Sequence, residues 1–336
     1  MFNINQTAHL IGEALAVNEK CSLQAASLRL GSNPVAQRIP MKFIFVFLLG
    51  SLLAASALAA GSKIIAPGET LKKLADGFSF TEGPACDQRG NVFFTDQPND
   101  RIMKWSAEGK LSVFMQPCGR ANGLSFDRAG KLWACADGSN QLWRIGPDTN
   151  VTIVLKDYHG KLFNGPNDIW IAHGGGIYFT DPFYKRPYWK RGPKEMDECV
   201  YYLSADHKRV NRVINDLKQP NGIIGTPDGK MLYVADIGAG KTYRYRLHAD
   251  GSVTDKKLFC ELGSDGMTID NQGNIYLTGK GVSVFNASGE KIEQIAVPEE
   301  WTANVCFGGK DRKLLFITAS KGIYGLTMKV KGVDSQ

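Results

Sequence analysis

The sequence predicts an all-β fold: a six-bladed β-propeller of four-stranded antiparallel blades, closed by an N-terminal strand. Three observations predict it. One unit recurs six times between residues 82 and 319. Short segments of alternating apolar and polar residues fill the intervals, as half-buried strands do. No segment of residues 60–336 carries a useful length of the 3.6-residue periodicity of a helix.

Each unit opens with an acidic or amide residue, usually followed by glycine. A short apolar segment, a turn and an aromatic strand come next, and the strand usually ends in a Thr/Ala-Asp pair. Glu82-Gly83-Pro84 leads to Asn91–Asp96, Asn122-Gly123-Leu124 to Lys131–Asp137, and Asn167-Asp168-Ile169 to Gly176–Asp181. Asn221-Gly222-Ile223 leads to Met231–Asp236, and Asp265-Gly266-Met267 to Asn274–Gly279. The weaker sixth copy has Asn304-Val305 leading to Leu314–Ala319. The starts lie 40, 45, 54, 44 and 39 residues apart, the period of a propeller blade.

Further strands fit between: Asp100–Ser106, Leu111–Gln116, Asn140–Ile145, Val151–Lys156, Cys199–Ser204 and Thr242–Leu247. Turns such as Asp228-Gly229, Asp250-Gly251 and Ser288-Gly289 punctuate them. The sixth unit lacks an outermost strand, which Glu69–Ala75 is expected to supply, removing the open sheet edges. The 54-residue interval holds Pro182–Glu198, a long loop expected to form a rim or lid.

Residues 60–336 are thus expected to be one propeller domain. Residues 41–59 read as a signal peptide: Lys42, an apolar run from Phe43 to Leu53, and the small-x-small site Ala57-Leu58-Ala59. The expected location is therefore the periplasm or the medium. Residues 1–40 precede that signal, so Met41 is taken as the true start and 1–40 as a non-native or disordered extension. Of seven cysteines, six follow the signal, an even number that permits disulfides, but none forms a C-x-x-C pair. The net charge of +7 is scattered, with no basic stripe for nucleic acid. The apolar run is short for a membrane span, so no stable membrane insertion is expected. The protein is expected to act as a monomer or small homo-oligomer.

In a propeller the first strand of each blade lines a central channel, so equivalent residues form a ring. That ring reads Glu82, Asn122, Asn167, Asn221, Asp265 and Asn304, all with side-chain oxygens. Hard divalent cations take oxygen ligands, and two carboxylates aimed at one axis repel each other without a cation. The alternative is that the Asn-Gly and Asp-Gly pairs are simple turns. Asp96, Asp137, Asp181 and Asp236, which end the second strands, read as structural caps. The five histidines form no ligand-like pair. No G-x-S-x-G elbow and no phosphate-binding glycine loop is present.

Phe80-Thr81-Glu82-Gly83-Pro84, Gly165-Pro166-Asn167-Asp168, Tyr178-Phe179-Thr180-Asp181-Pro182, Gln219-Pro220-Asn221-Gly222 and Ser264-Asp265-Gly266-Met267 occur in order. With these the chain, from about Leu71 to Leu326, resembles the senescence marker protein / gluconolactonase / luciferin-regenerating enzyme family. The resemblance implies a divalent metal on Glu82, Asn167, Asn221 and Asp265, with Ca²⁺ expected ahead of Mg²⁺, Mn²⁺ or Zn²⁺. It implies that Asp265 is also the catalytic base or nucleophile, and that Asn122 and Asn164 bind substrate. The implied substrate is a small sugar lactone, opened by hydrolysis. Gly165 stands where vertebrate members carry an arginine, which favours a bacterial type of pocket. Phe183, Tyr184, Tyr188 and Trp189 of the long loop are candidates for the pocket wall or for packing between blades. Competing expectations are another lactone or an organophosphate as substrate, and a propeller that only binds.

Overall fold

The computed structural model describes residues 61–186 and 192–333. The extension at residues 1–40, the signal peptide at 41–59, and Tyr188 and Trp189 lie outside the described residues. The described part falls within a compact unit from Ala60 to Gln336.

That unit is a six-bladed β-propeller of four-stranded antiparallel sheets. The innermost strands are Thr81–Cys86, Leu124–Phe126, Ile169–Ile171, Pro220–Gly225, Met267–Ile269 and Thr302–Gly308. The second strands, such as Val92–Asp96 and Ile177–Asp181, are buried along their whole length. Both of their faces meet other sheets, which explains their continuous apolar runs. The outermost strands are solvated: Val113 and Ile153 are each more than half exposed. Among the described residues the helical elements are three 3₁₀ turns, Gln97–Asn99, Asp137–Ser139 and Ile237–Ala239.

Six hydrophobic clusters hold the ring, each built from two neighbouring blades. At the seam, Phe78, Val92, Phe94 and Met103 of blade one pack on Phe316 and Ile323 of blade six. Blade six takes its outermost strand, Lys72–Asp76, from the N-terminal side. That strand pairs antiparallel with Gly322–Thr327, Lys72 opposite Gly325 and Asp76 opposite Gly322. The six cysteines of this unit are free thiols, four of them buried.

The far ends of the innermost strands enclose a cavity of about 120 Å³, lined among others by Leu124, Phe126, Trp170, Met267 and Phe307. The C-terminal segment crosses this end. Gly332 N donates to Arg312 O, Asn271 N donates to Lys331 O, and Val333 faces the cavity. Among the described residues, no helix is long and apolar enough to cross a membrane.

Candidate active site

The ring residues are positioned by residues that end the second strand of their own or the preceding blade. Asp96 Oδ1 accepts the N–H groups of Ser79 and Phe80, just before Glu82. Asp181 accepts those of Asn164 and Gly165, just before Asn167. Asp236 accepts those of Lys218 and Gln219, just before Asn221. These carboxylates fix the path into the innermost strands. The threonines act one step further in. Thr95 donates to Asn122 O, while Thr180, Thr278 and Thr318 accept from the N–H groups of Asp168, Gly266 and Asn304.

The glycines of the repeat let neighbouring strands converge. A Cβ on Gly83 would lie 2.0 Å from Asn122 O, and one on Gly123 would lie 2.6 Å from Asn167 O. A Cβ on Gly222 would lie 2.9 Å from Asp265 O, and one on Gly266 would lie 2.0 Å from Asn304 Cγ. The Asn-Gly and Asp-Gly pairs are therefore the starts of channel-lining strands rather than turns, and their glycines are required by close approach. Glu82, Asn122, Asn167, Asn221, Asp265 and Asn304 follow one another around the axis.

Glu82, Asn221 and Asp265 form one cluster. Asn221 Nδ2 donates to Asp265 Oδ1 at 2.7 Å and to the Tyr184 hydroxyl at 2.9 Å. Trp301 Nε1 donates to Asp265 Oδ2 at 2.6 Å. Gly83 N donates to Glu82 Oε2 at 3.2 Å. Burial, then the Asp265 charge, drive the Glu82 carboxyl well above the usual carboxylate range. Burial raises Asp265 too, against the opposing bonds from Trp301 and Asn221. Asp168 stands beside them, its carboxyl pushed up to about 7, chiefly by burial, although Ile169 N and Ile223 N donate to it. Arg186 is the cation whose charge reaches both Glu82 and Asp265.

Two buried polar atoms of the ring have no partner among the described residues: Asn221 Oδ1 and Asn122 Nδ2. Asn167 is buried with its backbone carbonyl on Gly123 N. Asn164 has a different setting: its Nδ2 donates to the carbonyls of Asp181 and Asp197, tying together the two ends of the long loop. Among the described residues no cluster of three or more His, Cys, Asp or Glu has metal-holding geometry. The oxygen-rich grouping instead combines carboxylates with carboxamides.

Sequence reasoning missed Trp301, Arg186 and the role of Asp168, and left Tyr184 open between a pocket wall and packing between blades. None of the four sits at a position that the repeat makes polar. Gly165 indeed brings no cation, and the long loop brings Arg186 instead.

Comparison with known proteins agrees with this architecture. The profile described as the SMP-30/gluconolactonase/LRE-like region matches residues 80–321. A gluconolactonase from Zymomonas mobilis is 30% identical over 301 residues, covering 78% of this chain and 82% of that protein. The structure of a gluconolactonase from Xanthomonas campestris superposes with a TM-score of 0.74 at 27% identity, over 79% of this chain and 91% of that one. A calcium-binding regucalcin from Agrobacterium tumefaciens shares the fold, with a TM-score of 0.66 at 21% identity over 80% and 96% of the two chains. On the extent of the profile match and the identity to the Zymomonas protein, the chain belongs to the SMP-30/gluconolactonase/LRE-like family.

Proposed function

We propose that this protein is a metal-dependent lactonase that hydrolyses a small sugar lactone, as its gluconolactonase relatives are named for doing. The observation that carries the reading is the Glu82–Asn221–Asp265 cluster. Burial raises the proton affinity of both carboxylates there, and the Asp265 charge raises that of Glu82 further, beside an Asn221 Oδ1 with no partner among the described residues. A divalent cation fits this donor set: it removes the repulsion and takes the orphaned oxygen as a ligand. Glu82, Asn167, Asn221 and Asp265 would hold it, a set of hard oxygens that suits Ca²⁺, Mg²⁺ or Mn²⁺ better than Zn²⁺, and Ca²⁺ is the ion we expect first. When bound, such an ion supplies Lewis acidity toward a lactone carbonyl.

The chain's own residues do the rest. Trp301 and Asn221 hold both oxygens of Asp265, fixing the carboxylate as acceptor for the proton of an attacking water. The water oxygen bonds to the carbonyl carbon, the ring C–O bond breaks, and the proton passes from Asp265 to the departing ring oxygen. The product is the open hydroxy acid. Asn122 Nδ2, buried without an acceptor, is a donor for the substrate. Asn164 serves the substrate side by bracing the loop that carries Tyr184. We also infer export of the protein from the segment at 41–59.

The test is acid release from D-glucono-δ-lactone by metal-stripped protein, with Ca²⁺, Mg²⁺, Mn²⁺ or Zn²⁺ restored in turn. Restored activity should fall about a thousandfold in Asp265→Asn, the scale of losing both a metal ligand and a general base. Full activity without any divalent ion, or unchanged activity in Asp265→Asn, overturns the reading.

A further inference from the structure

The long loop of blade three brings a guanidinium to the site, where its charge reaches Glu82 and Asp265 but its Nε–H has no acceptor among the described residues. Arg186 lies over the Tyr184 ring, 4.7 Å from its centroid. The Tyr184 hydroxyl accepts from Asn221, so this stack is joined directly to the carboxylate cluster. Arg186 Nε is buried and has no hydrogen-bond partner among the described residues. A buried charged donor left unbonded is strongly unfavourable, so its persistence points to an acceptor that arrives from outside.

Three of the four neighbouring carboxylate oxygens are already engaged. Asp265 uses one oxygen for Asn221 and the other for Trp301, and Glu82 takes Gly83 N. With a divalent ion balancing these two carboxylates, the guanidinium is a surplus positive charge facing the pocket. Its place over Tyr184 holds the guanidinium fork at the site, with the Nε–H left to donate. That planar fork matches a carboxylate in two parallel hydrogen bonds.

We propose that Arg186 is the specificity-determining residue of the site, and that it selects lactones bearing a free carboxylate, the lactones of sugar diacids. This rests on the lactone-opening reading above. The carboxylate pairs with Arg186 while the lactone carbonyl lies toward Asp265. A carboxylate created by ring opening is the competing source, and it arises equally from neutral lactones.

The test compares a neutral lactone, D-glucono-1,5-lactone, with a carboxylate-bearing one, D-glucaro-1,4-lactone. The metal-loaded full-length protein is used as wild type, Arg186→Gln and Arg186→Lys. Calorimetric binding of D-glucarate and D-gluconate is measured alongside, because it needs no turnover. Wild type should favour the carboxylate-bearing lactone by about tenfold or more in kcat/KM, carried by KM. Arg186→Gln should erase that preference, and Arg186→Lys should restore part of it, since a point charge replaces the fork. Glucarate should bind wild type about tenfold more tightly than gluconate, and Arg186→Gln should abolish the difference. Equal loss on both lactones in Arg186→Gln assigns the contact to the newly formed carboxylate and overturns the proposal. So does equal binding of glucarate and gluconate by wild type. If neither lactone is opened, the lactonase reading falls, while the calorimetry still decides Arg186.

Discussion

The same six strands begin and end in different chemistry. At their starts stand Glu82, Asn122, Asn167, Asn221, Asp265 and Asn304, with Tyr184, Arg186 and Trp301 reaching in from loops. A few residues later the same strands bury Leu124, Trp170, Met267 and Phe307 around a second cavity, which His173 and Arg312 also line. One end gathers buried charge, which opposes folding; the other buries hydrocarbon, which favours it. The rigid end holds the reactive one, because each strand spans both.

If that division is right, damage at the two ends must read out differently. The largest effect is expected at the apolar end. Phe307→Ala removes a ring that packs edge-on against Tyr276, and should lower stability by about 3–5 kcal/mol in urea unfolding. Activity per folded molecule should stay near wild type. A large loss of turnover in the folded variant would break the comparison.

The polar end should respond to pH. Asp168 is raised from 3.8 to about 7 in the folded, ion-free protein. The folded state therefore keeps a proton that the unfolded chain gives up near pH 4. This contribution is complete below about pH 4 and is lost as pH rises through 7. Urea unfolding in chelator between pH 4 and 8 should show stability falling. Asp168→Asn should flatten the slope by on the order of a few kcal/mol. An unchanged slope would show that Asp168 is not the group that titrates.

The smallest effect concerns the link between the ends. Thr278 accepts from Gly266 N at 2.8 Å and lies 2.8 Å from Ala303 O, its acceptor in the next blade. Thr278→Val should cost about 1 kcal/mol and loosen Asp265, lowering turnover several-fold with little change in fold. Stability lost without turnover would restrict these threonines to a packing role.

The frame of the molecule is legible in the sequence because propeller strands repeat their chemistry. Strands read at Leu111–Gln116, Val151–Lys156 and Cys199–Ser204 appear at Leu111–Met115, Val151–Leu155 and Cys199–Leu203. The ring residues are legible for the same reason: one register position is polar in every blade. What completes the cluster obeys no period. Trp301 reaches Asp265 from 36 residues away, and Tyr184 reaches Asn221 from 37 residues away. Asp168 is hidden differently, at a position where four other blades carry glycine, so the repeat reads it as a spacer.

The pairing of Lys72–Asp76 with Gly322–Thr327 also sets an order of events. The first of the described strands to be made by the ribosome must wait for the last. Until residue 327 has left the ribosome, the ring stays open and the Phe94–Phe316 seam is unmade. Glu82 therefore meets Asp265 in a settled channel only when synthesis is almost complete. The blades are local and quick to form, but the closure joins distant parts of the chain and is expected to pace the assembly of the site.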